Sequence, residues 1–300
     1  MRPPARQGRR EKKFLCSKRC VRVLTKRRAS IIIISTMTKD TGRDKAAEGG
    51  YGIFADLHTH TTYSHGKGSV EDNVRAAKFR GLSCLAVTDH GVRHPLVGVK
   101  REKFAAMRRD VSAAAEKYGM DVRLGIEANI FGLSGEIDLS ARDISQLDVI
   151  LAGFHASAAP QKFSDAFLFQ ANLLAGRAGK SSKAQIARNT RAYINCVKRF
   201  PVDVITHPGF WLQLDCRELG KACADYGTYV EISSRHRVPD LSGLEDFMKS
   251  GVTFVINSDA HRPQDVGKWG YALDLAARAG LDESRIANAG NKKLKLRSER

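Results

Sequence analysis

The stretch Ile53-Phe54-Ala55-Asp56-Leu57-His58-Thr59-His60-Thr61-Thr62-Tyr63-Ser64-His65-Gly66 carries the reading of the fold. A short apolar run, Ile53–Leu57, stops abruptly at imidazoles. Runs of this length and composition read as strands buried on both faces of a parallel sheet. The pattern recurs downstream at Cys84–Thr88, Val122–Glu127, Asp148–Gly153, Val202–Thr206, Thr228–Ile232 and Val252–Ile256. Helical stretches separate these runs. Ser69 reads as an N-cap for a helix reaching Phe79, with Gly81 as its stop. Further helices are expected over Val99–Tyr118, Lys183–Phe200 and Val266–Ala279, with another marked by Leu241, Leu244 and Met248. Asp215 with Glu218 resembles a capping box, and Leu219, Ala222, Cys223 and Tyr226 then fall on one helical stripe. Strand–helix units repeated over about 250 residues point to an α/β fold, a distorted seven-stranded (β/α) TIM-like barrel. An open doubly wound sheet is the rival. No G-x-G-x-x-G follows the first strand, so a dinucleotide site has no support.

Composition sets the outer limits. The chain has 300 residues, 42% of them hydrophobic, which is enough for a substantial core. The longest aliphatic run, Ile31–Ile34, is far below the roughly 20 residues of a membrane span. Six cysteines are too few for a disulfide scaffold, and a reduced, cytoplasmic setting is expected. The net charge of +18 is uneven: residues 1–36 hold twelve basic residues against Glu11 alone, and residues 291–300 hold five against Glu299. The body between them is close to neutral. The expected organisation is a basic extension over 1–50, a catalytic domain over 51–290 and a basic tail over 291–300. Met37 opens a polar run that reads as a natural start, so 1–36 is expected to be an upstream extension. Cys16 and Cys20 within it lack a second ligand pair and read as free thiols.

The chain has nine histidines, and most follow the expected carboxyl ends of strands. His58, His60 and His65 follow the first, His90 the second, His155 the fourth, His207 the fifth and His261 the seventh. Glu127 ends the third strand and Asp259 follows the seventh. In a barrel these ends share one face, where active sites lie. His-x-His on an extended segment aims both rings to one side. Burying seven imidazoles and two carboxylates together is costly unless cations join them. The mixed donor set suits zinc, manganese or iron, and the absence of Cys argues against a structural zinc site.

These motifs, with Thr88-Asp89-His90, His207-Pro208-Gly209 and Ser258-Asp259-Ala260-His261, resemble the PHP (polymerase and histidinol phosphatase) superfamily over about residues 52–290. The resemblance is closest to stand-alone bacterial PHP phosphatases. It implies a barrel holding three divalent ions, with all nine ligand positions filled here. One ion would take His58, His60, Glu127 and Asp259. Glu127 would bridge to a second on His155 and His207. The third would take His65, His90 and His261, a His-rich set that leans toward zinc. Asp56 and Asp89 stand beside ligands, either orienting imidazoles or simply hydrogen-bonding the barrel mouth.

The resemblance further implies hydrolysis of phosphoesters by a metal-bound hydroxide, with Glu127 and Asp259 at the reacting centre. Arg235, after the sixth strand, reads as a phosphate clamp or an exposed loop residue. His94 reads as a leaving-group proton donor or a loop histidine, and His236 is a weaker candidate. The connection from His155 to Lys183 reads as a lid or as packing over the barrel. A small phosphorylated substrate is expected, with no membrane partner. The alternative is a phosphodiesterase or exonuclease acting on nucleic acid, for which the basic tails speak. A non-catalytic module and an amidohydrolase rank behind: the ligand set is full, and no metal-bridging lysine is evident.

Overall fold

A computed structural model of the chain describes residues 50–155 and 174–297. Seven parallel strands follow in chain order, each hydrogen-bonded to the next: β1 Ala55–Asp56, β2 Cys84–His90, β3 Asp121–Asn129, β4 Val149–Gly153, β5 Val204–Ile205, β6 Tyr229–Ser233 and β7 Phe254–Asn257. The unbroken order excludes the open doubly wound sheet, whose strand order reverses. Beyond the ends of β1 and β7, Thr59 bridges Ala260 and the His60 N–H donates to the Ala260 carbonyl at 2.8 Å. The sheet is therefore a nearly closed, distorted (β/α) barrel.

The helices around it are α1 Val70–Phe79, α2 Phe104–Tyr118, α3 Ala141–Ile144, α4 Lys183–Arg199, α5 Cys216–Tyr226, α6 Leu241–Met248 and α7 Gly270–Arg278. Their ends follow local chemistry. Ser69 accepts from the Asp72 N–H and the Asp72 carboxylate answers, a complete capping box. Asp215 accepts from the Glu218 N–H at 2.9 Å, and α5 shows this half of the box only. Gly119 and Gly227 end α2 and α5 at φ 56° and 69°, the left-handed region where a side chain is strained. The helix expected from Val99 begins at Phe104, behind a 3₁₀ turn at Arg101–Lys103. The one expected from Val266 begins at Gly270, because Gly267 at φ 73° breaks the backbone first.

Two apolar layers hold the barrel. Inside it, Ala55, Leu57, Cys84, Ala86, Val149, Leu151, Val204, Tyr229 and Val255 pack together. Outside, Leu85, Val87, Leu124, Ile126, Ile150, Ile205, Val230, Ile232 and Ile256 pack against the helices. Strand alternation separates the two sets. Leu294 and Leu296 join the inner layer, and the Tyr229 hydroxyl donates to the Lys295 carbonyl at 3.0 Å. The described part of the basic tail is thus anchored at the amino end of β6. Leu296→Ala is expected to cost about 2–5 kcal/mol, the range for deleting a buried leucine side chain. Urea unfolding reads this, and a loss below about 0.5 kcal/mol, typical of surface substitutions, would contradict the anchoring.

Among the described residues Cys196, Cys216 and Cys223 are free thiols, and no helix is long and apolar enough to cross a membrane. Cys16, Cys20, Met37 and most of the connection after His155 lie outside the described residues.

Candidate metal centre

The inward alternation that builds the apolar interior continues upward into charge. Two residues beyond Tyr229 stands Glu231, four beyond Ala86 stands His90, and two and four beyond Val255 stand Asn257 and Asp259. Glu127 lies in β3, paired in register with His90 on one side and Leu151 on the other. All of these polar groups are buried.

His58 and His60 converge as their spacing predicts, with Nε2 atoms 3.2 Å apart. His60 Nε2 lies 3.2 Å from Asp259 Oδ1 and 3.6 Å from Glu127 Oε2. His58 Nε2 lies 3.3 Å from Glu127 Oε1. The same oxygen meets His155 Nε2 at 3.3 Å and His207 Nε2 at 2.7 Å. His90 Nδ1 is 3.0 Å from Glu127 Oε2. The His65 ring sits 4.9 Å from that of His90 and 4.3 Å from that of His261. All nine residues read as ligands therefore meet at one end of the barrel, although His58 and His261 are 203 positions apart.

Three groups have donor atoms within 4.8 Å of one another: His58, His60 and Asp259; His90, Glu127 and His155; and His60, His90 and His261. The first lies within the set expected for one ion. In the others His90 stands with Glu127 and His155, and His60 stands where His65 was expected.

The protonation pattern suits cation binding. Burial pushes His65 and His90 down to about 4, and burial with the nearby His90 holds His60 well below its ordinary value. These rings stay neutral at pH 7 and offer lone pairs. Burial disfavours charge on Glu127, but the imidazoles of His155 and His58 outweigh it and hold the carboxyl well below the usual range. Asp259 is likewise held low against burial, by His58 and by the nearby rings of His236, His261 and His60.

Buried atoms without hydrogen-bond partners test whether metal ions fit. His60, His65, His90, His155 and His207 each leave Nδ1 unpaired, and Asp259 leaves Oδ1 unpaired. Buried polar atoms are normally satisfied, and imidazoles that converge on buried carboxylates while leaving polar atoms unpaired are a setting divalent cations occupy. The donor set fits.

Two ligand positions carry backbone strain. His207 has φ 31° and Asp259 has φ 52°, the left-handed region. Asp and His tolerate it better than most residues. Beside His207, Gly153 ends β4 in a tight approach: an added Cβ would stand 2.3 Å from Thr206 Oγ1 and 2.9 Å from His207 Cε1. Gly153→Ala is expected to cost about 1–3 kcal/mol as overpacking and to push the His207 ring from Glu127. Calorimetry together with metal content checks it, and wild-type values in both would refute the contact.

A family model for the PHP domain matches residues 56–208. The chain belongs to the PHP domain family. A protein named "Probable phosphatase" from Thermoanaerobacter sp. (strain X514) is 29% identical to this PHP chain over 253 residues, 81% of this chain and 93% of its own length. Another of that name, from Shewanella sp. (strain MR-4), is 30% identical over 78% of this chain and 86% of its own. The histidinol phosphate phosphatase of Lactococcus lactis subsp. lactis Il1403, solved with zinc, L-histidinol and phosphate, superposes with a TM-score of 0.50 at 15% identity. That superposition covers 76% of this chain and 94% of that one, and it supports the shared fold.

The remaining residues sort by contact. Asp56 accepts from the Ser258 hydroxyl at 2.5 Å and the Gly267 N–H at 3.0 Å, and Asp89 accepts from the Thr61 N–H at 2.7 Å and its hydroxyl at 2.6 Å. These bonds go to backbone and hydroxyl groups of the loops that carry ligands, which the two carboxylates brace. Arg235 is 43% exposed, with Nε 3.8 Å from Asp259 Oδ2. His94 is half-buried, its ring 5.4 Å from His90 and 6.2 Å from His155. His236, the weaker candidate in sequence, places Nε2 3.0 Å from Asp259 Oδ2, its ring against Phe210 at 3.9 Å. Glu231 was not singled out at all, although a lone carboxylate between Val230 and Ile232 in a doubly buried strand must find donors.

Proposed function

We propose that this PHP chain is a metal-dependent phosphatase that hydrolyses small phosphomonoesters at a site for three divalent ions, zinc or manganese. The observation that carries the reading is the convergence of nine His, Glu and Asp side chains, all but His65 and His155 buried, with polar atoms left unpaired. The coarser statement, a hydrolase of phosphoester bonds, agrees with relatives named phosphatases that match most of the chain. His58, His60, Glu127 and Asp259 would hold one ion, His155 and His207 with Glu127 a second, and His65, His90 and His261 the third. Bound divalent ions would neutralise phosphate oxygens and bring the pKa of a water down to about 7.

The chain's own groups supply the rest. Glu127 and Asp259 stay charged and balance the cations. Arg235 stands at the mouth beside Asp259, exposed enough to meet a phosphate with two N–H donors. Arg235→Ala is expected to lower kcat/KM by about 10- to 100-fold, the loss of one charge-assisted contact. Steady-state kinetics reads it, and an unchanged kcat/KM removes the clamp. His94, beside His90 and His155, would give a proton to a leaving oxygen.

The test is a matched panel on the full chain loaded with Mn²⁺ or Zn²⁺: small phosphomonoesters, including histidinol phosphate and nucleoside monophosphates, beside a labelled single-stranded oligonucleotide. Phosphate release with the oligonucleotide left at full length supports the reading. Shortened oligonucleotide with little monoester turnover would replace it by the phosphodiesterase.

A further inference from the structure

We infer that Glu231 is a positioning residue for the metal centre, one carboxylate that fixes two ligands expected on different ions. The inference rests on reading the cluster as a metal site. Glu231 is fully buried in β6 and takes three donors. Oε1 accepts from His58 Nδ1 at 2.7 Å and from Asn257 Nδ2 at 2.9 Å. Oε2 accepts from the His207 backbone N–H at 2.7 Å. Asn257 is held in turn, its Oδ1 accepting from the Leu57 N–H at 3.0 Å.

Each contact has a separate consequence. A carboxylate only accepts, so the bond to His58 requires the proton on Nδ1 and leaves Nε2 as the nitrogen that can ligate. That nitrogen faces Glu127 Oε1 at 3.3 Å and Asp259 Oδ1 at 3.8 Å, acceptors both. Donor atoms converging in this way suit a cation among them, and a bound ion would take the place of a proton on Nε2. The bond to the His207 N–H acts on the backbone. β5 is two residues long, and His207 at once turns to φ 31°. Glu231 holds that turn and with it the approach of His207 Nε2 to Glu127 at 2.7 Å. A carboxylate that sets both the tautomer of one ligand and the backbone of another couples the two positions.

Glu231→Gln keeps the shape and removes the chemistry. A glutamine offers one acceptor and one donor group, so it cannot receive His58 and Asn257 on one side and His207 on the other. The experiment titrates full-length wild type and E231Q with Co²⁺, following visible absorption, and counts bound metal after desalting. E231Q is expected to bind about 10- to 100-fold more weakly, to lose stoichiometry and to show an altered Co²⁺ spectrum. Wild-type affinity and spectrum would overturn the inference. If E231Q does not fold, ¹⁵N-histidine NMR of the wild type decides: a His58 protonated at Nδ1 supports it, and a His58 bare at Nδ1 overturns it. Metal binding, not turnover, is the readout. A wild type that binds Co²⁺ but cleaves no phosphoester defeats the proposed function and leaves this inference standing.

Discussion

Asp259→Asn is expected to lower kcat by about 10³-fold, the scale seen when a group stabilising transition-state charge is removed, while the barrel stays folded. Asn occupies the same volume and, like Asp, tolerates the left-handed backbone that residue 259 adopts at φ 52°. What changes is charge. Asp259 faces His60 at 3.2 Å, His236 at 3.0 Å and His261 at 3.3 Å, and its Oδ1 has no hydrogen-bond partner. An amide gives such a site one neutral oxygen and an N–H₂ aimed at neighbours that need an anion. Metal content should fall with activity. Turnover within tenfold of wild type, at full metal occupancy, would remove Asp259 from the reacting centre.

Removing metal is expected to lower the melting temperature by about 10 °C or more. Free metal at a thousand times its Kd adds about 4.1 kcal/mol per site when the unfolded chain does not bind. One kcal/mol moves Tm by about 2–4 °C in a domain of this size. The charge balance adds to this, since Glu127 and Asp259 are buried carboxylates and burial keeps the neighbouring His60 and His90 from protonating. Calorimetry of chelator-dialysed and reloaded protein checks the shift. A difference under about 2 °C would mean that the cluster is satisfied without cations.

Much of the site was legible because it lies where strands stop. A two-residue period and a run of buried apolar side chains locate a strand end to within a residue or two. Imidazoles beyond such ends are forced to one face by parallel packing. The helix caps at Ser69 and Asp215 were legible because the chemistry is local. What escaped depends on contacts distant in sequence. Glu231 looks like one polar residue in a strand until His58 and Asn257 are beside it, 173 and 26 positions away. The grouping of His60 with His90 and His261 follows from ring packing, which spacing does not encode. Helix α3 has four residues, too few to show a period, and its capping box of Ser140 and Asp143 was its one readable mark. Leu294 and Leu296 were hidden in a run of lysines, where charge drew attention from the two side chains that anchor it.

The bridge between Thr59 and Ala260 has a consequence for biosynthesis. It joins the end of the first strand to the end of the seventh, so the ligand cluster cannot close until the segment through His261 has been made. On the ribosome, His58, His60, His65 and His90 emerge long before Asp259 and His261. For most of translation the nascent chain holds imidazoles and Glu127 without the second carboxylate, a set able to take a stray cation in the wrong arrangement. Long-range pairings of this kind also fold slowly. The segment after β7 therefore completes both the barrel and the metal centre, and chains released before it would be unable to assemble either.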